Sequence, residues 1–240
     1  MKKDSIRLVA LDLAGTLTQH RSKLEPQNTL VLDELSKKYK LLIVGAGTCR
    51  RTHGQMNAYP IDIIGNYGMQ VSEYNRQTGQ LEIVENNLSP PDKPEVERRI
   101  ARLRQMSGYL EYAGETVEFR ESGMITFPLI GTKARIEDKL SFDPSREKRR
   151  KIYAAVKAAF PEYTVFIGGS SSFDIAPLPY NKLYALDRYC GRHGLTRENT
   201  VYVGDDFEPG GNDEHVYRSD VPFIQVLGYR RFRESVAAWL

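Results

Sequence analysis

Two hydrophobic periods run along this chain, and the change from one to the other divides it. Ile6 to Leu11 is a near-continuous apolar run, the mark of a strand buried on both faces. From about Pro26 to Tyr39 the period lengthens. Val31, Leu35 and Tyr39 recur every four residues, and Lys37 and Lys38 fall in the last turn, which predicts a helix. Leu41 to Val44 is a second apolar strand that runs into Gly45-Ala46-Gly47-Thr48, and Ile61 to Ile64 is a third. Strand and helix thus alternate over the first 65 residues, which predicts a parallel α/β sheet.

The pattern changes after about residue 66. "GMQVSEYNRQTGQLEIVE" reads as a β-hairpin with its turn near Gln77-Thr78-Gly79, and "LSPPDKP" reads as a loop. A helix is predicted from about Glu95 to Met106, with Val96, Ile100 and Leu103 on one face. "TVEFRE" and "MITFPLI" read as paired strands. "DPSREKRRKIYAAVKAAF" is a further helix, with Asp143 expected as N-cap, Pro144 at the first helical position, and the basic run Arg146 to Lys151 on a solvated face. "YTVFIGG" and "SSFDIAPL" add strands before "NTVYVGDD" and "VPFIQVLG" return to short apolar strands that end in polar loops. The fold class expected is α/β: a Rossmann-like core at 1–81 and 183–240 with a parallel sheet, interrupted at 82–182 by an inserted α+β domain with an antiparallel sheet.

Composition adds few constraints. Apolar residues make up 40% and charged residues 27% of the chain, and 34 basic residues against 31 acidic ones leave a net charge of only +3. So small an excess gives no ground for a nucleic-acid or anionic-membrane partner. No run approaches the roughly 20 apolar residues of a membrane span. The start, "MKKDSIRLVALDL", lacks a secretory cleavage pattern, and Cys49 and Cys190 form neither a metal spacing nor a disulfide framework. A cytoplasmic setting is the expectation.

Ligands of open α/β sheets bind beyond the carboxyl ends of the strands. Asp12 with Gly15 and Thr16, Thr48, and the Asp205-Asp206 pair each follow an apolar strand, and Lys182 follows the insert. The set supplies a carboxylate nucleophile, a hydroxyl and a lysine for phosphoryl oxygens, and carboxylates for a hard cation. A carboxylate attacks phosphorus only when a cation neutralises both partners. Asp12 is the candidate nucleophile, which would form an aspartyl-phosphate, and Asp205 its companion metal ligand.

These residues resemble the haloacid dehalogenase superfamily, in the branch whose cap is inserted between the second and third motifs. Within it the chain is similar to the eukaryotic phosphomannomutase family. The interval between Asp12 and Thr48 is too short for a cap, whereas that between Thr48 and Lys182 is long enough. "DLAGTLTQHRSKL", "VEFRESGMITFPLIG", "IGGSSSFDIAP" and "VGDDFEPGGND" carry the likeness. The resemblance implies Mg2+ held by Asp12, Asp205 and the backbone carbonyl of Ala14, and catalytic roles for Asp12, Thr48 and Lys182. It implies sugar-phosphate contacts from Arg21, Arg120, Lys139, Ser172 and Asp174, and a homodimer formed through the cap. The implied activity interconverts hexose 1-phosphate and 6-phosphate, with mannose as the sugar.

Three positions depart from the family pattern. Ala14 stands where the family has its acid–base aspartate, Thr132 where it has a second cap arginine, and Lys139 where it has a third. Lysine keeps the charge but loses the bidentate fork. Ala14 leaves three readings open: an engineered substitution that traps substrate, a natural binder without turnover, or a leaving group that needs no proton. A sugar-phosphate phosphatase and a catalytically silent sugar-phosphate binder are therefore the alternatives to a mutase.

Overall fold

The computed structural model describes residues 5–240, so Met1 to Asp4, the basic start of the chain, lie outside the described residues. In chain order the elements begin with β1 (Leu8–Leu11), α1 (Pro26–Ser36), β2 (Lys40–Val44), α2 (Cys49–Gln55), β3 (Asp62–Gly65), β4 (Gln70–Asn75) and β5 (Gln80–Asn86). Then come α3 (Lys93–Ser107), β6 (Glu118–Phe119), β7 (Ile125–Pro128), α4 (Ile136–Phe142), α5 (Glu147–Ala159), β8 (Tyr163–Phe166) and β9 (Ser172–Pro177). The chain closes with α6 (Lys182–Arg192), β10 (Thr200–Gly204), α7 (Glu214–Tyr217), β11 (Phe223–Gln225) and α8 (Phe232–Val236). Among the described residues no helix is long and apolar enough to cross a membrane.

Two compact units result. The first comprises residues 1–87, 181–208 and 213–240; the second comprises 88–180 and 209–212. The boundaries drawn from sequence, at 82 and 182, fall elsewhere at both ends. β5 pairs antiparallel with β4, so it belongs to the first unit's sheet and the boundary moves past Asn87. At the far end Asn181 caps α6 by accepting from Tyr184 N at 2.9 Å, which ties it to the helix that follows.

In the first unit the sheet order is β11-β10-β1-β2-β3-β4-β5. The five strands from β11 to β3 are parallel, and β4 and β5 turn back antiparallel. Every residue of β1 is buried, and successive side chains serve opposite faces. Val9 and Leu11 join Ile43, Ile63, Val203 and the apolar sides of α1 and α8. Leu8 and Ala10 join Leu42, Val44, Ile64, Tyr202 and the inner face of α6. A sheet covered on both faces leaves its edges and loops for chemistry. The chain runs β1 to β3 in one direction, then crosses to β10 on the other side of β1. That reversal is where the carboxyl ends of two neighbouring strands splay into a crevice.

The second unit holds a four-stranded antiparallel sheet in the order β6-β7-β9-β8. Ile125, Phe127, Val165, Phe173 and Ile175 pack against Val96, Ile100 and Leu103 of α3 and Val156 of α5. Strand alternation turns Thr126, Thr164, Ser172 and Asp174 to the opposite face. Asp143 is not the N-cap of α5, whose cap is Arg146 at φ 61. It reaches the same helix from three residues earlier, accepting from Lys148 N and Arg149 N. The basic run is a solvated face as expected at Lys148, Arg150 and Lys151, with Arg149, 1% exposed, the exception.

Candidate active site

Asp12 leaves β1 beside Asp205, which leaves β10, because Leu11 registers with Val203 and Asp12 N donates to Val203 O at 2.9 Å. Lys182 opens α6 and is fully buried. Its ammonium donates to Asp12 Oδ1 at 2.5 Å and to Asp213 Oδ1 at 2.7 Å. Asp213 also accepts from the Tyr202 hydroxyl at 2.7 Å and from Asp206 N at 3.0 Å. Thr16 donates its hydroxyl to Asp205 Oδ1 at 2.8 Å. One carboxylate oxygen each from Asp12, Asp205 and Asp213 lies within 4.8 Å of the others.

The loops reach this closeness only because of glycine. Gly15 has φ +99°, and a Cβ there would stand 2.3 Å from Asp205 Oδ2. A Cβ on Gly204 would stand 2.5 Å from Asp213 Oδ2.

Three carboxylates thus stand beside one ammonium, which pairs with two of them, Asp12 and Asp213, and the protonation follows from that imbalance. Burial pushes Asp12 up to about 6; Lys182 pulls it down and Asp213 pushes it up. Asp205, which has no ammonium of its own, is pushed up to about 8 by burial and by the charges of Asp12 and Asp213. Burial disfavours the Lys182 ammonium, but Asp12 and Asp213 outweigh it and hold the group charged well above its usual range. A negative surplus among hard oxygen ligands, in loops pressed together to carbon-free closeness, fits a divalent cation. The donor set therefore passes the chemical test for the metal site.

The sequence-derived residues are distributed unevenly. Asp12, Lys182 and Asp205 come together, whereas Thr48 and Arg21 are not bonded to them. Thr48 is exposed and caps α2, accepting from Arg51 N at 3.2 Å. Arg21 is exposed at φ 61. Ala14 is half-buried and bridges to Thr18 along the backbone. The sequence offers Asp213, with Asp206, only as a substitute for Asp205 as metal ligand, and it does not single out Tyr202. Their signal was present in "VGDDFEPGGND" and "TVYVG", but only the return of the loop past Asp206 brings Asp213 to Lys182.

In the second unit Arg120 Nη2 donates to Thr126 Oγ1 at 2.9 Å and to Asp174 Oδ1 at 3.2 Å, and Thr126 Oγ1 donates to the same carboxylate oxygen at 3.2 Å. Ser172 Oγ donates to Gly168 O at 3.1 Å. Lys139 Nζ donates to the carbonyl of Thr132 at 2.8 Å, so both departures from the expected arginines are tied to one turn. Arg149 underlies this region. It pairs with Asp143 at 2.9 Å and donates to the carbonyls of Gly168 and Gly169 at 2.9 Å and of Ser172 at 3.4 Å. Burial pushes the Asp143 carboxyl up, but Arg149 and two backbone N–H groups outweigh it and hold it below the usual range.

Comparison with known proteins gives the family and the fold. A family profile described as eukaryotic phosphomannomutase matches residues 100–227. The phosphomannomutase of Encephalitozoon cuniculi (strain GB-M1) is 28% identical over 238 residues, spanning 94% of this chain and 90% of that protein. Solved structures share the fold at lower identity. A haloacid dehalogenase-like hydrolase from B. subtilis superposes with a TM-score of 0.64 at 12% identity, covering 97% of this chain and 98% of that one. An IMP-bound mutant of the Plasmodium falciparum IMP-nucleotidase gives 0.67 at 15% identity, covering 98% and 68%.

Proposed function

This chain belongs to the eukaryotic phosphomannomutase family, and from that premise we propose that it moves a phosphoryl group between a hexose phosphate and the carboxylate of Asp12. The observation that carries the reading is the buried Asp12–Lys182–Asp213 chain beside Asp205. Asp12 sits at the sheet's reversal point, is fixed by Lys182, and is ionised above about pH 6. In the first step an Asp12 oxygen bonds to phosphorus, the bond from phosphorus to the sugar oxygen breaks, and that oxygen takes up a proton. The donor in this step is a hexose bisphosphate, so a hexose monophosphate leaves. In the return step the free hydroxyl of a hexose 1-phosphate loses its proton and takes the phosphoryl group from Asp12. The bisphosphate so formed, turned round, gives up its other phosphoryl group.

Asp12, Asp205 and the backbone carbonyl of Ala14 would hold Mg2+, with Asp213 behind them. Such a cation neutralises the repulsion between the attacking carboxylate and the phosphoryl oxygens. Thr16 fixes Asp205 through its hydroxyl. Lys182 keeps its proton and serves as a fixed positive charge. The family's proton carrier is absent at Ala14, so the proton comes from solvent and turnover is slowed.

In the cap, Arg120 is the group for the substrate's non-reacting phosphate, and Ser172 and Asp174 for its hydroxyls. Arg120 is placed for this by its bonds to Thr126 and Asp174, and a guanidinium presents a planar fork to phosphate oxygens. Hydrolysis of a sugar phosphate is the second reading. It is favoured because Lys139 is spent on the Thr132 carbonyl, and hydrolysis needs only one phosphate gripped. Pairing of two copies through the cap is supported by the exposed Met106, Leu110, Tyr112, Ile136 and Leu140 of that unit, and light scattering at micromolar concentration tests it.

The deciding experiment incubates the protein with Mg2+ and mannose 1-phosphate, with and without a hexose bisphosphate. Mannose 6-phosphate marks a mutase and free phosphate marks a phosphatase; a thermal shift with neither product marks a silent binder. Asp12→Asn is expected to lower any turnover by on the order of 10⁴-fold or more while the fold persists. Activity within a few-fold of the parent would remove the aspartyl-phosphate route.

A further inference from the structure

Parallel strands place all their amino ends at one edge of the sheet, opposite the edge where Asp12 stands. β2 begins at Lys40 and β3 at Asp62, and a cavity of ≈ 480 Å³ opens over these two starts. Its walls are the last turn of α1 with the residues that follow it, the approach to β3 through Tyr59 and Pro60, and the far end of β4, which runs antiparallel and so ends at this edge. All of these lie in the first unit.

The lining carries four cations, Lys37, Lys38, Lys40 and Arg76, against two carboxylates, Asp62 and Glu73. Both carboxylates are already engaged. Asp62 accepts from the Tyr189 hydroxyl at 2.5 Å and from Tyr74 N at 2.8 Å, and pairs with Lys40 at 3.0 Å. Glu73 pairs with His193 at 3.1 Å, a residue outside the cavity. Lys38 donates to the carbonyl of Leu240. Lys37 and Arg76 form no ion pair with either lining carboxylate, and Glu34, whose carboxylate feels the charge of Lys37, is already paired with Arg233. Compensation of the α1 dipole accounts for lysines in its last turn. It does not account for Arg76, which comes from a different element, nor for the cavity between them. The walls also present the half-buried rings of Tyr39 and Tyr74, with Pro60 beside them.

We propose that this cavity is a second ligand site, separate from the catalytic carboxylates, that takes a nucleoside phosphate. Arg76 offers a planar fork to phosphate oxygens and Lys37, from another element of the lining, a point charge. The tyrosine and proline surfaces receive the flat base, a contact that every base offers through its π-face.

Calorimetric titration of the full chain with ATP, at low salt and with EDTA present, tests this. One ATP is expected to bind per chain, and to bind Asp205→Asn within about two-fold of the parent. The charge-reversed Lys37→Glu/Arg76→Glu variant is expected to bind at least tenfold more weakly with its melting temperature unchanged, since both side chains are exposed. Pyrophosphate, which lacks the ring, is expected to bind several-fold more weakly than ATP. ATP binding lost in Asp205→Asn but kept in Lys37→Glu/Arg76→Glu would place the anion at the catalytic edge and overturn the proposal. Absence of heat at millimolar ATP would overturn it as well. Equal affinity for pyrophosphate and ATP would overturn the nucleoside assignment.

Discussion

Both units of this chain bury charged side chains, and they balance them in opposite ways. In the first unit one ammonium, Lys182, answers two of three clustered carboxylates, and the surplus shows in the third, Asp205, pushed up to about 8. In the second, Arg149 answers Asp143 one for one and gives its remaining donors to carbonyls. Arg120 answers Asp174 in the same way. The second unit's other buried cation, Arg104, donates to the carbonyls of Tyr109, Pro128 and Leu129. A cluster with a charge surplus is incomplete until something charged joins it. A buried guanidinium that spends its donors on carbonyls, with a carboxylate partner as in Arg149 or without one as in Arg104, holds backbone in place. The two patterns therefore separate a reacting site from a supporting one, although both are made of the same residue types.

The largest effect expected from this contrast is on stability. Arg149→Met keeps much of the volume but leaves Asp143 buried without its partner and the carbonyls of Gly168 and Gly169 without a donor. Removing one member of a buried pair costs about 3–5 kcal/mol, and urea unfolding reads it directly. Arg149→Met/Asp143→Leu should recover a large part of the loss, because no charge is left behind. A cost under about 1 kcal/mol for the single change would mean that Arg149 is not the support of the 168–172 turn.

Next comes turnover. The carboxylate cluster holds a nucleophile and a cation site, but no group on Ala14 carries a proton. Ala14→Asp is expected to raise turnover on mannose 1-phosphate with Mg2+ by at least about 10², the low end for general acid–base catalysis. Affinity should move little, because the new carboxylate acts mainly in the transition state. If turnover does not rise, protonation of the sugar oxygen is not what limits this enzyme.

The difference between the units also explains what could be read from the sequence. The strands of the first unit were legible because each is an apolar run covered on both faces, and the loop that follows each run was the place to look. Asp12 and Asp205 could be paired on that ground alone. Asp213 could not: it is one acidic residue among four in "DDFEPGGND", and only a loop that folds back on itself brings it to Lys182. Arg149 was hidden for a different reason. A run of six residues with five cations reads as a solvated face, and the single inward position is set by helix phase against Asp143, which the charge pattern does not encode. α4 has no buried residue and so left no periodic mark. The Arg120–Asp174 pair joins residues 54 apart across β7 and β9, whereas the sequence offered Arg120 two adjacent glutamates.

That cross-strand pair sets a smaller expectation. Arg120→Ala should weaken binding of sugar phosphates by about 1.5–3 kcal/mol, the scale of a charged hydrogen bond. Inorganic phosphate should bind as before, because it has no second phosphate or hydroxyl to present to the cap. Equal loss for both ligands would make Arg120 a support for Asp174, on the pattern of Arg149, and would erase the distinction between binder and support within the second unit.

The smallest effect is a slope with pH, and its sign follows from the surplus. In the metal-free protein Asp205 holds its proton up to about pH 8, whereas an unperturbed carboxyl releases it near 3.8. Between those values the folded chain binds more protons than the unfolded chain. The stability linked to this group is therefore full below about 3.8 and is lost as pH rises through about 8. Asp12 acts in the same direction but is spent above about 6. His53, held below its usual 6.5 by burial, acts in the opposite direction and only under that value. Of these three groups, Asp205 is the one that carries the slope between about 6.5 and 8. With EDTA present, stability should fall across it by at most about 1.4 kcal/mol per pH unit, the value of one proton. Asp205→Asn should flatten the line. Mg2+ should reverse it, because the cation binds the deprotonated cluster and so favours the fold more as pH rises. Parallel slopes for the parent and Asp205→Asn in EDTA would show that the surplus sits elsewhere, and the contrast between the two units would lose its electrostatic basis.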